Sequence, residues 1–295
     1  DKVPFPFQDE AFERLLEANH AGVEIGTGLG KSLIILMLVK ELGLRTVIMA
    51  PSIDIASKFY EECVKAFGSK KVGFFGDGKK KIKSITVALG QSLTRVKENS
   101  KEWEELSKAQ VFVADESHLT PAATLNKVCF GLMASAPYRF FLSATQMRGD
   151  GLDLLLDGIT GPIVYSKTVR QGIDEGYLAK LMFTMVKVKS KQICYQEDPN
   201  AHTRVHLFYN PEVNRIAADL ANNFVAQGRS VLILLDELEQ FSHLYPMLKY
   251  PVKFAHGGVT AENAVKLPQP FHDSDPTEFV KQFNRMEFPI LCGTS

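Results

Sequence analysis

The chain has 295 residues, 45% apolar and 23% charged, the balance of an ordinary soluble globular protein, and its length suggests about two domains. Lys+Arg and Asp+Glu number 34 each, so the net charge is zero. That excludes a bulk basic nucleic-acid binder while leaving room for a local groove. Cys63, Cys129, Cys194 and Cys292 lie far apart, without paired spacing for zinc or redox work; a reduced, intracellular and cytoplasmic protein is the simple reading. The apolar run 33–39 is too short to span a bilayer and ends at Lys40, and no signal peptide or membrane partner is expected. With Asp1 in place of Met, the true N-terminus is expected to lie upstream.

In chain order, 8–19 carries Ala11, Phe12, Leu15 and Leu16 at helical spacing. The apolar segment 21–25 runs into Gly26-Thr27-Gly28-Leu29-Gly30-Lys31-Ser32 and then into 33–39, giving strand, glycine loop and buried helix. A strand at 46–50 ends at Pro51, and a helix is expected over 53–67. Short strands at 72–75 and 85–88 flank a turn holding Gly76, Gly78 and three lysines, Lys79, Lys80 and Lys81; with Lys83, these read as a solvated turn. Trp103 reads as a packing residue. The strand at 111–114 leads into Asp115, and that at 139–142 into Ser143. Strands apolar along their whole length and alternating with helices predict an α/β fold with a parallel sheet buried on both faces. Ligands bind such sheets at the carboxyl ends of strands, where Gly26, Ser52, Asp115 and Ser143 fall.

The pattern breaks around 168–180, with Gly172 and Gly176 close together, and divides the chain into domains 1–175 and 176–295. A second α/β pattern follows. Asn210 is placed as an N-cap with Pro211 at the first helical position. Val213, Ile216, Ala217, Leu220 and Phe224 make one helix face, and Gly228 ends the helix. A buried strand at 231–235, a helix at 236–248, a strand at 252–255, the loop His256-Gly257-Gly258 and a strand opening at 288–292 complete the second domain, which reads as unfinished at Ser295.

The glycine loop has the form of a phosphate cradle, because glycines let backbone N–H groups fold closely around an anion at the positive end of a helix. Against the Walker A pattern the first glycine falls on Ile25, so the loop depends on Gly26, Gly28 and Gly30. Lys31 would then reach the β- and γ-phosphates of ATP, and the Ser32 hydroxyl would hold Mg2+. The strand Val111-Phe112-Val113-Ala114 delivers Asp115 and Glu116 to its end; Asp115 would share the Mg2+ with Ser32, and Glu116 would orient and deprotonate a water molecule. Alone, a glycine loop is also an ordinary turn, and an Asp-Glu pair a solvated strand end. Their joint occurrence in one α/β pattern favours nucleotide hydrolysis.

Asp115-Glu116-Ser117-His118 resembles the DExH box of superfamily 2 helicases, and Ser143-Ala144-Thr145 the Ser/Thr-Ala-Thr element that follows it. Pro6-Phe7-Gln8 resembles the family's upstream glutamine element. Ala50-Pro51-Ser52 and Gly90-Gln91-Ser92-Leu93 resemble its strand-contacting elements. The stretches 72–93 and 141–178, the latter ending in Gly176-Tyr177-Leu178, are similar to the XPB-like and phage UvsW-like branch, which includes phage recombination and branch-migration helicases. The resemblance implies two RecA-like parallel-sheet domains, the second incomplete here. It also implies ATP with Mg2+, Gln8 reading adenine, and residues 26–32 around the phosphates. His118, Ser143 and Thr145 would couple nucleotide state to domain closure. Pro51, Ser52, Gln91, Ser92, Arg148, His256, Gly257 and Gly258 would touch DNA. Bland readings stand beside several of these: a polar helix start for Gln8, a core histidine for His118, loop polars for Ser52, Gln91 and Ser92, a salt bridge for Arg148, and a plain turn for 256–258.

The sequence departs from the family at Ile25, at Phe5 where an arginine is common, and at Gln146 where a proline is common. Residues 290–295 resemble only the opening of motif V. The arginine that the family sends across its cleft is expected beyond Ser295, since Arg204, Arg215, Arg229 and Arg285 lack the surrounding motif. The implied function is a monomeric ATP-dependent DNA helicase or translocase. It would remodel or branch-migrate single-stranded, forked or branched DNA, 3′-to-5′, in recombination and repair. A DExH RNA helicase shares every ATP-site residue, and a nucleotide-dependent binding module without motor activity is a third reading.

Overall fold

The computed structural model describes residues 3–144, 158–188, 198–257 and 267–294; Thr145, Gln146, Arg148, Cys194 and Gly258 lie outside them. The chain divides into two compact units, Asp1–Met182 and Phe183–Ser295.

In the first unit the helices α1 (Pro6–Ala18), α2 (Lys31–Leu42), α3 (Ile53–Phe67), α4 (Gly90–Leu93), α5 (Lys101–Leu106) and α6 (Ala122–Lys127) surround eight strands. These are β1 (His20–Ile25), β2 (Thr46–Ala50), β3 (Val72–Gly76), β4 (Lys79–Lys81), β5 (Ile85–Leu89), β6 (Val111–Asp115), β7 (Tyr138–Ser143) and β8 (Ile163–Lys167). Their order is β4-β3-β5-β2-β6-β7-β1-β8. Every pairing is parallel except the β3–β4 hairpin. Alternate side chains of a strand point to opposite faces, and here both faces are covered. Ile48, Val113, Phe140 and Leu142 join a core built with α1, α2 and α3; Val47, Met49, Phe112, Ala114 and Phe141 join a second core with Leu93, Leu106 and Leu125. Coverage on both sides is why these strands are continuously apolar. Trp103 packs at the edge of the second core.

The glycine turn after β3 is a tight hairpin. Asp77 and Gly78 both have positive φ, 48° and 73°, the signature of a two-residue turn matched to strand twist. The three lysines that read as a turn form its exposed second strand. The compact unit extends past Gly176 because Tyr177 packs on Phe5 and Phe7, with ring centroids 4.8 and 5.0 Å apart, and Leu178 joins the same core.

The second unit holds a parallel three-stranded sheet among the described residues, β9 (Val231–Leu235), β10 (Val252–Ala255) and β11 (Ile290–Thr294), in the order β10-β11-β9. Its longest helix, Pro211–Ala226, starts where expected: the Asn210 Oδ1 accepts the N–H groups of Glu212 and Val213 at 2.9 and 3.4 Å. The buried face only partly follows the apolar stripe read from the sequence: Ala217 packs against the core, and Val213 and Ile216 are half-buried. Asn214, Ala218, Ala221 and Asn222 are buried, while Leu220 and Phe224 are about 40% exposed, at 42% and 40%. The two asparagines go inside because their amides donate to the Phe208 and Met247 carbonyls at 2.8 and 3.0 Å. The expectation of a buried β9 is likewise corrected: Leu232 and Leu234 are exposed on one face, whereas Leu235 joins the core. A run of five apolar residues does not tell which face will be covered.

Candidate nucleotide site

The site lies along the carboxyl edge of the first unit's sheet. The loop 26–30 connects β1 to α2. Gly28 and Gly30 adopt φ of 87° and 79°, a region that glycine enters without strain. Gly26 is required for another reason, close approach: a Cβ there would sit 2.7 Å from Val169 Cγ2 and 2.8 Å from its backbone nitrogen. Thr27, Gly28 and Gly30 are exposed, whereas the Leu29 side chain is buried and would lie 2.7 Å from a Cβ on Gly172. Lys31 and Ser32 open α2, so the loop N–H groups and the helix's positive end share one spot.

Gln8 braces this loop from behind. It is buried, its Nε2 donates to the Leu29 and Gly30 carbonyls at 3.0 and 3.4 Å, and its Oε1 accepts the Phe5 N–H at 2.8 Å. Both ends of the amide are therefore engaged within the chain. Sequence reading did not find the wall made by Lys167, Val169, Glu175 and Tyr177. The buried Lys167 ammonium lies 2.7 Å from both Glu175 carboxylate oxygens and over the Phe7 and Tyr177 rings at 4.9 and 5.4 Å, while its carbonyl accepts the Gly26 N–H at 2.9 Å. The nearest sequence signal was the pair Gly172 and Gly176, read only as a domain break.

Strand β6 ends at Asp115, two strands from β1. The Lys31 ammonium, itself buried, sits 3.0 Å from Glu116 Oε1 and donates to the Ile25 carbonyl at 3.1 Å. Glu116 adopts φ 47°, ψ 49°, a conformation that a non-glycine residue reaches only at some cost. Its N–H donates to Asp115 Oδ1 at 3.0 Å. Desolvation first, then the neighbouring Glu116 charge, pushes the Asp115 carboxyl up to about 6, against the opposing pull of Lys31. His118 lies on the short turn Ser117–Leu119 that follows. The buried Ser143 ends β7, the strand between β6 and β1, in register with Glu24. The structure thus brings together Gln8, residues 26–32, Asp115, Glu116 and Ser143.

The Asp115 shift has a consequence for stability. An unfolded aspartate holds its proton only below about pH 4, whereas the folded one holds it up to about 6. Its favourable contribution is therefore present below the lower value and is lost as pH rises through the upper one. Asp115→Asn is expected to raise the melting temperature of nucleotide-free protein at about pH 7.5 by several degrees, on the order of 2–3 kcal/mol, and by only about half as much at about pH 5, midway through the window. Thermal scans of both proteins at the two pH values check this. Equal shifts at both would contradict a buried, ionised Asp115 at neutral pH.

The expected strand-contact residues divide. Pro51 and the exposed Ser52 follow β2, where the Ser52 hydroxyl caps α3 by accepting the Ile55 N–H at 3.4 Å. Gln91 and Ser92 follow β5, on α4, with Gln91 exposed. His256 is a correction. It is 3% exposed, its Nε2 is 2.8 Å from the Phe271 carbonyl, and it is an interior residue of the second unit; the adjoining Gly257 is exposed. A histidine between a strand and a glycine pair reads equally as loop or core, and the buried acceptor decided it.

A parallel sheet with a glycine loop after one strand and an Asp-Glu pair after another, joined by a lysine, is the arrangement of a RecA-like domain, and the relatives place it in the helicase class of superfamily 2. The chain belongs to the family described as type III restriction enzyme, res subunit, which matches residues 1–148. It is 31% identical over 191 residues to the DNA 3'-5' translocase XPB2 of Sulfurisphaera tokodaii, covering 61% of this chain and 41% of that protein. It is 26% identical over 213 residues to a probable helicase of Escherichia phage T5, covering 72% and 44%. The chain thus spans less than half the length of these relatives. In fold it is similar to bacteriophage T4 UvsW (TM-score 0.51, 16% identity, 100% of this chain and 57% of that one). It is also similar to the Pyrococcus furiosus Hef helicase domain (TM-score 0.60, 12% identity, 99% and 85%). Among the described residues, no helix is long and apolar enough to cross a membrane.

Proposed function

We propose that the chain is the ATP-hydrolysing part of a DNA helicase or translocase that remodels forked or branched DNA, moving 3′-to-5′. The observation that carries the ATPase reading is the pairing of the buried Lys31 with Glu116 beneath the glycine loop, with Asp115 beside it. In this reading Lys31 exchanges its carboxylate partner for a phosphate. The loop N–H groups hold phosphate oxygens, Gln8 keeps the loop in place beside the adenine, and Glu116, once released from Lys31, accepts the proton of the attacking water. The residues fit a divalent cation: a carboxyl pushed up to about 6 by burial and a like charge is one whose ionised form a cation would favour. Asp115 and Ser32 would hold Mg2+, which supplies charge neutralisation on the phosphates.

Ser143 lies between the loop strand and the acidic strand, which supports a coupling role for it together with His118 and Thr145. The names of the XPB2 and phage T5 relatives support helicase action on DNA over a pure binding role. We also propose a monomer and a setting inside the cell. The test is ATP turnover with single-stranded DNA, forked DNA and RNA in parallel, beside a strand-displacement assay. Stimulation by DNA, strongest on forks, is expected. Stimulation by RNA alone, or no stimulation by any strand, would overturn the substrate.

A further inference from the structure

A cleft of about 470 Å³ opens between the β3–β4 hairpin and the segment after β5, away from the nucleotide site. Phe75 and Val96 line it beneath a polar set of Lys79, Lys80, Ser92, Arg95, Lys97 and Glu102, with Asp77 at the turn. Four cations thus face two carboxylates in a chain without net charge, and one of those carboxylates is already engaged. Glu102 takes the Lys80 ammonium at 2.9 Å, which links the hairpin to α5 across the cleft. Arg95 and Lys97 are exposed and form no ion pair among the described residues, and the Lys79 ammonium rests over the Phe74 ring at 5.3 Å. The hairpin is held stiffly. Both residues of its turn have positive φ, and a Cβ on Gly73 would meet the Lys81 carbonyl at 2.1 Å.

The position of the cleft says what it fits. Sheet order runs β2, β5, β3, and neighbouring strands are about 4.8 Å apart. Ser52 after β2, Ser92 after β5 and the hairpin after β3 therefore form a row along the carboxyl edge, and Ser92 belongs both to that row and to the cleft wall. A row of hydroxyls running into a cluster of unpaired cations suits a polyanion that follows the edge, since phosphates are contacted by both kinds of group. We propose that this cleft is a second DNA-backbone site, in which Lys79, Arg95 and Lys97 neutralise phosphates of the strand that passes Ser52 and Ser92. The site rests on the DNA reading above.

The test uses the intact protein and a labelled single-stranded oligonucleotide, with affinity measured by fluorescence anisotropy across a salt series. The variant Lys79→Ala/Arg95→Ala/Lys97→Ala leaves the Lys80–Glu102 tie in place. It is expected to bind about tenfold more weakly, with the slope of log affinity against log salt shallower by about two, since each lost phosphate contact removes about 0.7. ATP turnover without DNA and the melting temperature should stay unchanged, and Lys79→Arg/Arg95→Lys/Lys97→Arg should retain affinity. Ser52→Asp keeps a helix cap and places a negative charge on the row outside the cleft. If Ser52→Asp weakens binding while the triple alanine variant alters neither affinity nor slope, the DNA reading stands and the cleft assignment falls. If the unaltered protein binds no DNA at any salt concentration, both fall.

Discussion

Lys31→Ala should abolish productive ATP turnover, by at least about a hundredfold in rate. The ammonium is a buried cation, placed 3.0 Å from Glu116 under the glycine loop. A cation aimed at developing negative charge in a water-poor site is commonly worth 10² to 10³ in rate. Alanine leaves the transferring phosphate unmatched there. It also removes a positive charge that, with the Glu116 N–H, lowers the Asp115 pKa, so Asp115 should hold its proton to higher pH in the variant. Loss of the Lys31 ammonium from beside Asp115 and Glu116 should also cost some stability near neutral pH, so the comparison belongs at a temperature where circular dichroism shows both proteins folded. Turnover is measured with saturating DNA. Wild-type rates in a folded Lys31→Ala protein would remove this loop from the active site.

Much of this site was legible in the sequence because its chemistry is local. A strand, a glycine loop and a helix announce a phosphate cradle within about a dozen residues, and Asp115-Glu116 announces itself by ending an apolar strand. Element positions were legible for the same reason: β2 and α3 fall where their apolar patterns put them. What the sequence hid depends on contacts between distant segments. That Gln8 spends its amide on Leu29 and Gly30, or that Lys167 seals the loop by pairing with Glu175, cannot be read from either residue alone. The helix Pro211–Ala226 shows the converse, where part of a good apolar stripe was outcompeted by two asparagines that found buried carbonyls. His256 failed for a related reason, since a buried partner at Phe271 turned a loop candidate into a core residue. The lysine hairpin was visible as a turn, but the cleft it makes with Arg95 and Lys97 exists only once β3 lies beside β5.

Glu116→Gln should separate nucleotide binding from hydrolysis. The carboxylate has two tasks in sequence. Without nucleotide it holds Lys31; with nucleotide, in the proposed mechanism, it takes a proton from the attacking water. Glutamine keeps the size and one hydrogen-bonding oxygen but cannot accept that proton, and loss of a general base typically costs 10² to 10⁴ in rate. Binding should move the other way. A neutral amide releases Lys31 more readily than a carboxylate does, so the phosphates no longer compete with an ion pair, and ATP affinity should be retained or rise by a few-fold. The positive φ of Glu116 is left as it is, because glutamine has the same backbone constraints. The neighbouring Asp115 should ionise more easily once the Glu116 charge that raises its pKa is gone. The measurement pairs a nucleotide-binding titration with single-turnover hydrolysis on the same preparation. Tight binding with turnover lost assigns the proton transfer to Glu116. A fall in ATP affinity that matches the fall in rate would mean that Glu116 serves the site by holding nucleotide and that the base lies elsewhere.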